Sequence, residues 1–253
     1  MPIRLIFWFT LTVFSMIFSF SVPAPADTTP AKSSLPLQAV VVKTADWNTF
    51  RASLQRFERK AGDVPWNAVG EEVSVVVGRN GLGWGTGIHP RPSCEGPVKM
   101  EGDGRAPAGV FRLGSAFGYA PPREVSWIKL PYLHATARIQ CVDDVQSPYY
   151  NTLVDTAGTE QSRRSYEDMR RQDDQYRLGA VVEHNTDPVV AGRGSCIFLH
   201  IWKGPSGGTS GCTAMEARHL EKLLLWLNPY AMPVLVQMPE SDYARFRSSW
   251  RLP

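Results

Sequence analysis

The sequence predicts a mostly β protein with flanking helices, and three observations lead to this fold class. Short apolar runs with the length of strands recur along the chain, among them residues 39–42, 73–77 and 234–237. The 21 Gly and 20 Pro residues cluster between such runs, where turns between strands need them. Helical spacing of apolar residues is confined to a few short stretches, so we expect the sheet to form the body of the protein.

Composition excludes several classes of protein. The chain has 253 residues, of which 43% are apolar and 20% charged, so it is not intrinsically disordered. That length can bury a core without a metal or disulfide framework, and four cysteines are too few for a disulfide scaffold. The net charge of +3, from 27 basic and 24 acidic residues, is too balanced for a dedicated nucleic-acid binder. No nucleic-acid partner is therefore expected.

The N-terminus has the layout of an export signal. Residues 5–22 form an apolar run behind the single basic residue Arg4, and Ala24 and Ala26 supply the A-x-A pattern that a signal peptidase accepts. This layout predicts a cleaved signal peptide over residues 1–26. An uncleaved anchor is the alternative, because the run is close to the lower length limit of a spanning helix. In either case the protein is expected in the periplasm or cell envelope, with the membrane as a partner only through this segment.

The rest of the chain is predicted to be one domain. Residues 27–37 read as a linker rich in Thr, Pro, Ser and Ala, and residues 38–253 contain no repeat and no break in composition. Three helices are predicted within this domain. One opens on a capping Asp and covers residues 46–61, a short charged one covers residues 166–176, and an amphipathic one covers residues 214–227.

Nucleotide and metal sites find no support in the sequence. The glycine-rich run at residues 81–85 follows a strand, but the Pro-containing stretch after it does not open the helix that a phosphate loop requires. The cysteines form no C-x-x-C pair, and no two histidines stand four residues apart. We therefore expect no metal and no cofactor.

One segment carries the residues of a nucleophilic site. A predicted strand ends with His200, a glycine-rich loop follows, and Gly211 leads into Cys212. Thr213 and Glu216 then form a capping-box pattern, which would place Cys212 just before a helix N-terminus, where a thiolate is favoured. His200 is the expected general base, and the backbone N–H groups of Gly211 and Cys212 are the expected oxyanion donors.

A structural role for both residues is the alternative interpretation. Free cysteines are often buried as small hydrophobes, and a histidine can simply cap a strand. The glycine-rich loop and the predicted helix start after Cys212 favour chemistry over this alternative.

The same segment resembles the active-site motif of the YkuD-type L,D-transpeptidases, in which a histidine and a loop precede Ser/Thr-His-Gly-Cys. Residues 99–111 resemble the strand region of that family with the pattern Thr-Pro-x-Gly-x-Phe, and residues 181–185 resemble the family more loosely. The resemblance covers about residues 70–238 and is specific at residues 99–111 and 194–216. It implies a β-sandwich with a few flanking helices.

The resemblance also implies a reaction. Cys212 would be the nucleophile, His200 the base and Gly211 part of the oxyanion site of an enzyme that forms L,D cross-links between peptidoglycan stem peptides. Ser210 stands where the family has His, and Ala214 stands where an Arg is common, which puts substrate preference in question. An L,D-carboxypeptidase that uses water as acceptor, and an inactive wall-binding module, remain as alternatives. A monomer is expected.

Five further residues are candidates for contact with the substrate. Arg193 has a planar guanidinium that suits a carboxylate, and His184 is placed to orient His200 or to touch substrate. Trp202 follows the catalytic strand and is a candidate lid or packing residue, and Thr209 and Ser210 precede the expected nucleophile.

The remaining cysteines predict one disulfide. If Cys212 stays free, Cys94 and Cys141 lie beside turn signals where a bridge can form without disturbing a core, whereas Cys196 lies in an apolar stretch. The sequence therefore favours a Cys94–Cys141 bridge with Cys196 buried as a thiol.

Overall fold

Strands dominate the computed structural model, which describes residues 35–93, 95–157 and 164–253. The predicted mostly β class is confirmed, with thirteen strands and two α-helices in these ranges. The predicted signal peptide, most of the predicted linker, and Cys94 lie outside the described residues. In the part of the chain that is described, no helix has the length and apolar character needed to cross a bilayer.

The elements follow one another as short strands with two helices near the C-terminus. They are β1 (Gln38–Thr44), β2 (Arg51–Glu58), β3 (Asn67–Val76), β4 (Leu82–Trp84), β5 (Ala106–Gly118), β6 (Tyr132–His134), β7 (Ile139–Cys141), β8 (Leu153–Asp155), β9 (Glu167–Asp168), β10 (Leu178–Val182), β11 (Phe198–Ile201), β12 (Thr213–Met215), α1 (Ala217–Trp226), β13 (Val234–Pro239) and α2 (Glu240–Phe246).

Ten strands form one sheet that closes in a barrel-like manner. Its order is β10-β11-β12-β3-β2-β1-β13-β5-β4, with β6 beside β5, and β10 pairs with β5 as well as with β11. Strands β1 and β13 run parallel in the middle of this order, and both are buried because each has hydrogen-bonded neighbours on its two sides. A second, three-stranded sheet has the order β8-β7-β9.

The first predicted helix, over residues 46–61, is wrong, because β2 (Arg51–Glu58) occupies half of it. The local signal was correct: the side chain of Asp46 accepts hydrogen bonds from the N–H groups of Asn48 and Thr49, as a helix cap does. The chain after this turn pairs with β1 on one side and β3 on the other. Those ladder hydrogen bonds outweigh a helical spacing of four apolar residues.

The other two predicted helices are also changed. The charged stretch at residues 166–176 contains β9 and a 3-10 turn at Asp174–Tyr176 instead of a helix. The predicted helix at residues 214–227 begins only at Ala217, because β12 runs through Met215 in parallel with β11. The capping box at Thr213 and Glu216 therefore does not form.

The predicted Cys94–Cys141 bridge is wrong, because Cys141 is bonded to Cys196, with a Cα–Cα distance of 6.0 Å. Strand β11 begins at Phe198, and Cys196 before it has a positive φ of 55°, which does not continue the strand. Cys196 is buried as predicted, but it is not a thiol. The bridge ties the small sheet to the entrance of β11.

Candidate functional site

A cleft of about 690 Å³ lies over one end of β11 and β12. Six residues that the sequence singles out line it together: His200, Trp202, Thr209, Ser210, Gly211 and Cys212. The cleft thus gathers both predicted catalytic side chains and the loop that joins them.

The pairing of β11 with β12 places His200 and Cys212 on one face. The strands are parallel, with His200 opposite Ala214, so Cys212 lies two positions before the partner of His200. Residues two apart on a strand point to the same side, and this register gives a Cα–Cα distance of about 8 Å. The side chains of the pair therefore share one wall of the cleft.

Cys212 is a free, buried thiol with defined hydrogen bonds. Its Sγ accepts from the N–H of Phe198 at 3.4 Å and donates to the carbonyl oxygen of Cys196 at 3.6 Å. Burial, and to a smaller extent the nearby carboxylate of Glu167, raise the pKa of the thiol to about 12. The expected depression of this pKa is therefore wrong, because β12, and not a helix N-terminus, follows Cys212.

His200 is a buried, neutral imidazole. Its Nδ1 lies 2.8 Å from the carbonyl oxygen of Ile201. Because a carbonyl only accepts, Nδ1 carries the proton, and Nε2 keeps its lone pair. Burial lowers the pKa of His200 to about 4. The resting pair is thus a neutral thiol and a neutral imidazole with one nitrogen able to receive a proton.

Thr209 organises the turn before Cys212. Its hydroxyl accepts from the N–H of Gly211 at 3.1 Å and donates to the carbonyl oxygen of Cys212 at 2.6 Å. The N–H of Gly211 is therefore already bonded, and an oxyanion would have to displace Thr209 to use it. Ser210 is exposed at the mouth of the cleft, where Arg79 donates to its Oγ at 3.2 Å.

Gly211 permits a close approach between three segments. A Cβ at this position would lie 3.1 Å from the carbonyl oxygen of Arg105 and 3.3 Å from Cδ1 of Ile197. We expect Gly211→Ala to lower the free energy of unfolding by about 1 kcal/mol, because this tight contact must relax. Urea unfolding measures the change. Gly207→Ala in the same loop is the matched control, since its Cβ meets nothing within 4 Å. Equal stabilities of the two variants would contradict the prediction.

His184 and Arg193 do not line the cleft. The Nδ1 of His184 accepts from the N–H of Thr86 at 3.3 Å, so Nε2 is protonated and donates to the carbonyl oxygen of Arg193 at 2.9 Å. Burial lowers the pKa of His184 to about 4. The side chain of Arg193 lines a separate pocket of about 280 Å³ with Trp84. These contacts hold two loops together, whereas the sequence predicts a substrate role for both residues.

The cleft also contains charged residues that sequence reasoning missed. Its further lining includes Arg79, Lys99, Glu101, Asp143, Glu167, Arg171 and Tyr176. Glu167, Arg171 and Tyr176 belong to a stretch whose mixed charges indicated only a solvated helix. A signal was present in Tyr176, because a tyrosine inside a charged stretch is a candidate for burial with its hydroxyl paired.

Comparison with known proteins returns no match: no protein-family model, no curated protein and no solved structure matches the chain. The fold and the site by themselves define a class. This is a mostly β protein with a free cysteine and a neutral histidine side by side in a charged cleft.

Proposed function

We propose that this protein is an exported cysteine acyltransferase that forms L,D cross-links between peptidoglycan stem peptides. The observation that carries the proposal is the pairing of a free thiol, Cys212, with the unprotonated Nε2 of His200 in one cleft. The resemblance of residues 99–111 and 194–216 to the L,D-transpeptidases supports the reaction class. In this proposal the closed sheet is a form of the β-sandwich of that family.

The reaction proceeds by two acyl transfers. The Sγ of Cys212 attacks the carbonyl carbon that follows the diaminopimelate, or other L-configured, centre of a donor peptide, and its proton passes to Nε2 of His200. The C–N bond breaks, and the leaving amine takes the proton from His200. An acceptor amine then attacks the thioester and gives its proton to His200. The C–S bond breaks, and His200 passes that proton to the departing Sγ, so that Cys212 is released as the thiol and the imidazole is neutral again.

The resting charge state fits this order of events. A thiol with a pKa of about 12 is protonated near neutral pH, and an imidazole with a pKa of about 4 is ready to accept that proton. Proton transfer therefore accompanies attack, and a preformed ion pair is not required.

The charges of the cleft suit a peptide that carries both signs. Arg79 and Lys203 are basic groups that line it, and Glu101 and Asp143 are acidic ones. Stem peptides with a diaminopimelate residue bring carboxylates and an amine to the same region. Guanidinium groups bind carboxylates well, so this distribution supports such a substrate.

Acylation by a carbapenem tests the proposal directly. We expect the wild-type protein to gain the mass of one carbapenem, because the Sγ of Cys212 would be acylated. Cys212→Ser lacks this sulfur and should gain none. Intact-mass spectrometry measures both. No adduct on the wild type would contradict the enzyme and favour an inactive wall-binding module.

Incubation of the protein with purified muropeptides distinguishes transpeptidase from carboxypeptidase activity. Cross-linked dimers indicate a transpeptidase, whereas shortened tripeptides indicate an L,D-carboxypeptidase with water as acceptor. We expect dimers, and their absence in the presence of tripeptides would assign the alternative.

A further inference from the structure

Tyr176 contacts both members of the cysteine–histidine pair. It is 4% exposed, and its ring meets the imidazole of His200 edge-on, with centroids 5.2 Å apart and planes at 70°. It packs in the same way against Phe198, whose N–H donates to Cys212. The ring therefore covers one side of the imidazole and fixes the plane in which His200 can lie.

The hydroxyl of Tyr176 is anchored by a buried acid. It donates its single proton to Oε2 of Glu167 at 2.7 Å, and Glu167 is among the groups that raise the pKa of the Cys212 thiol. Glu167 sits opposite Cys141 in the pairing of β9 with β7. The disulfide from Cys141 to Cys196 then leads back to the carbonyl that holds Cys212. The contacts form a closed ring around the thiol.

Arg171 packs against the ring of Tyr176 at the wall of the cleft. Its guanidinium lies 5.0 Å from the centroid of the Tyr176 ring and donates to both carboxylate oxygens of Asp173, at 2.9 and 3.0 Å. This ion pair fixes the segment that carries Tyr176, so the ring has little freedom to move from His200.

We propose that Tyr176 and Glu167 act as a positioning pair, which holds His200 and Cys212 in the geometry for proton transfer and sets the charge that surrounds the thiol. The inference rests on the proposed acyl transfer. Several elements bring charged and titratable groups to the part of the cleft that holds Cys212. These groups are Glu167 on β9, Tyr176 in the 3-10 turn, His200 on β11 and Lys99 before β5. The cleft is also lined by Glu101, Asp143 and Arg171. Among these, Glu167 is the acid whose charge most directly disfavours the thiolate.

Two variants separate the contributions of the pair. Tyr176→Phe keeps the ring against His200 and removes the hydroxyl, so we expect carbapenem acylation to slow about tenfold with little change in Tm. Glu167→Gln keeps an oxygen that accepts from Tyr176 and removes the negative charge. Removal of this charge should lower the pKa of the Cys212 thiol by about one unit, which raises the thiolate fraction at pH 9 about tenfold. We therefore expect alkylation of Cys212 by iodoacetamide at pH 9 to be about tenfold faster.

Tyr132→Phe is the matched control, because the hydroxyl of Tyr132 donates to the carbonyl oxygen of Ala120 away from the cleft. It should leave both rates at the wild-type value. The proposal of a positioning pair is overturned if Tyr176→Phe is acylated by the carbapenem at the wild-type rate, or if Glu167→Gln leaves the rate of alkylation of Cys212 unchanged. If the wild type itself gains no carbapenem, the proposed function fails, and the alkylation rates alone then decide whether Glu167 controls the thiol.

Discussion

Replacing His200 by glutamine is expected to slow acylation of Cys212 by about a thousandfold, the scale on which a positioned general base contributes. The imidazole is the neutral group whose Nε2 is free to take the thiol proton, and glutamine offers no basic nitrogen. Intact-mass spectrometry of the carbapenem adduct over time measures the rate. Glutamine is preferred to alanine because His200 is only 4% exposed, so alanine would leave a cavity beside Tyr176.

The ring of His200 is enclosed, so its removal costs stability as well as a base. His134→Gln is the matched control, since His134 lies on β6 outside the cleft and contacts the carbonyl of Tyr119. Acylation of His200→Gln within threefold of this control would show that another group receives the proton.

Removal of the disulfide, through the double variant C141A/C196A, is expected to lower the free energy of unfolding by about 4 kcal/mol. The bridge joins residues 55 positions apart, and the chain-entropy relation gives a loss of this size for such a loop. For a chain of this length the Tm should fall by about 10 °C. Urea unfolding and a thermal scan measure the two quantities.

Cys212→Ala is the control for the loss of buried sulfur without loss of a bridge, and it should cost about 1 kcal/mol. Cys212 in the double variant should also be acylated more slowly. The backbone carbonyl of residue 196 accepts from the Cys212 thiol, and without the bridge this residue is no longer fixed to β7. Alkylation of Cys141 in unreduced, unfolded wild-type protein would rule the bridge out.

The parts of the fold that the sequence predicted are those that local pattern determines. Strands β1 and β13 contain uninterrupted apolar runs, residues 39–42 and 234–236, and they lie where predicted. The helix expected after Asp46 failed for a reason outside its own sequence, since the partners of β2 are β1 and β3. A helix-capping residue and a helical spacing of apolar residues do not predict which strands will pair.

The same division applies to the site. His200 and Cys212 could be found because one short segment carries both, together with the loop between them. Glu167 is placed by the pairing of β9 with β7, and Tyr176 by the 3-10 turn before β10, which pairs with β11. The Cys141–Cys196 bond includes a residue with a left-handed backbone, Cys196. Spacing and composition do not predict which of these segments meet, so their arrangement required the structure.

One buried cluster of side chains contains both the Cys141–Cys196 disulfide and the free thiol of Cys212. A free thiol beside a disulfide can exchange with it and form a non-native bond. Exchange begins when a thiolate attacks a bonded sulfur, so its rate follows the thiolate fraction. With a pKa of about 12, Cys212 is ionised on the order of once in 10⁵ molecules at neutral pH. The burial that keeps Cys212 protonated therefore protects the Cys141–Cys196 bond from the free thiol in the same cluster. For the exported enzyme that we propose, this means that the native bridge persists beside a cysteine that must remain reduced.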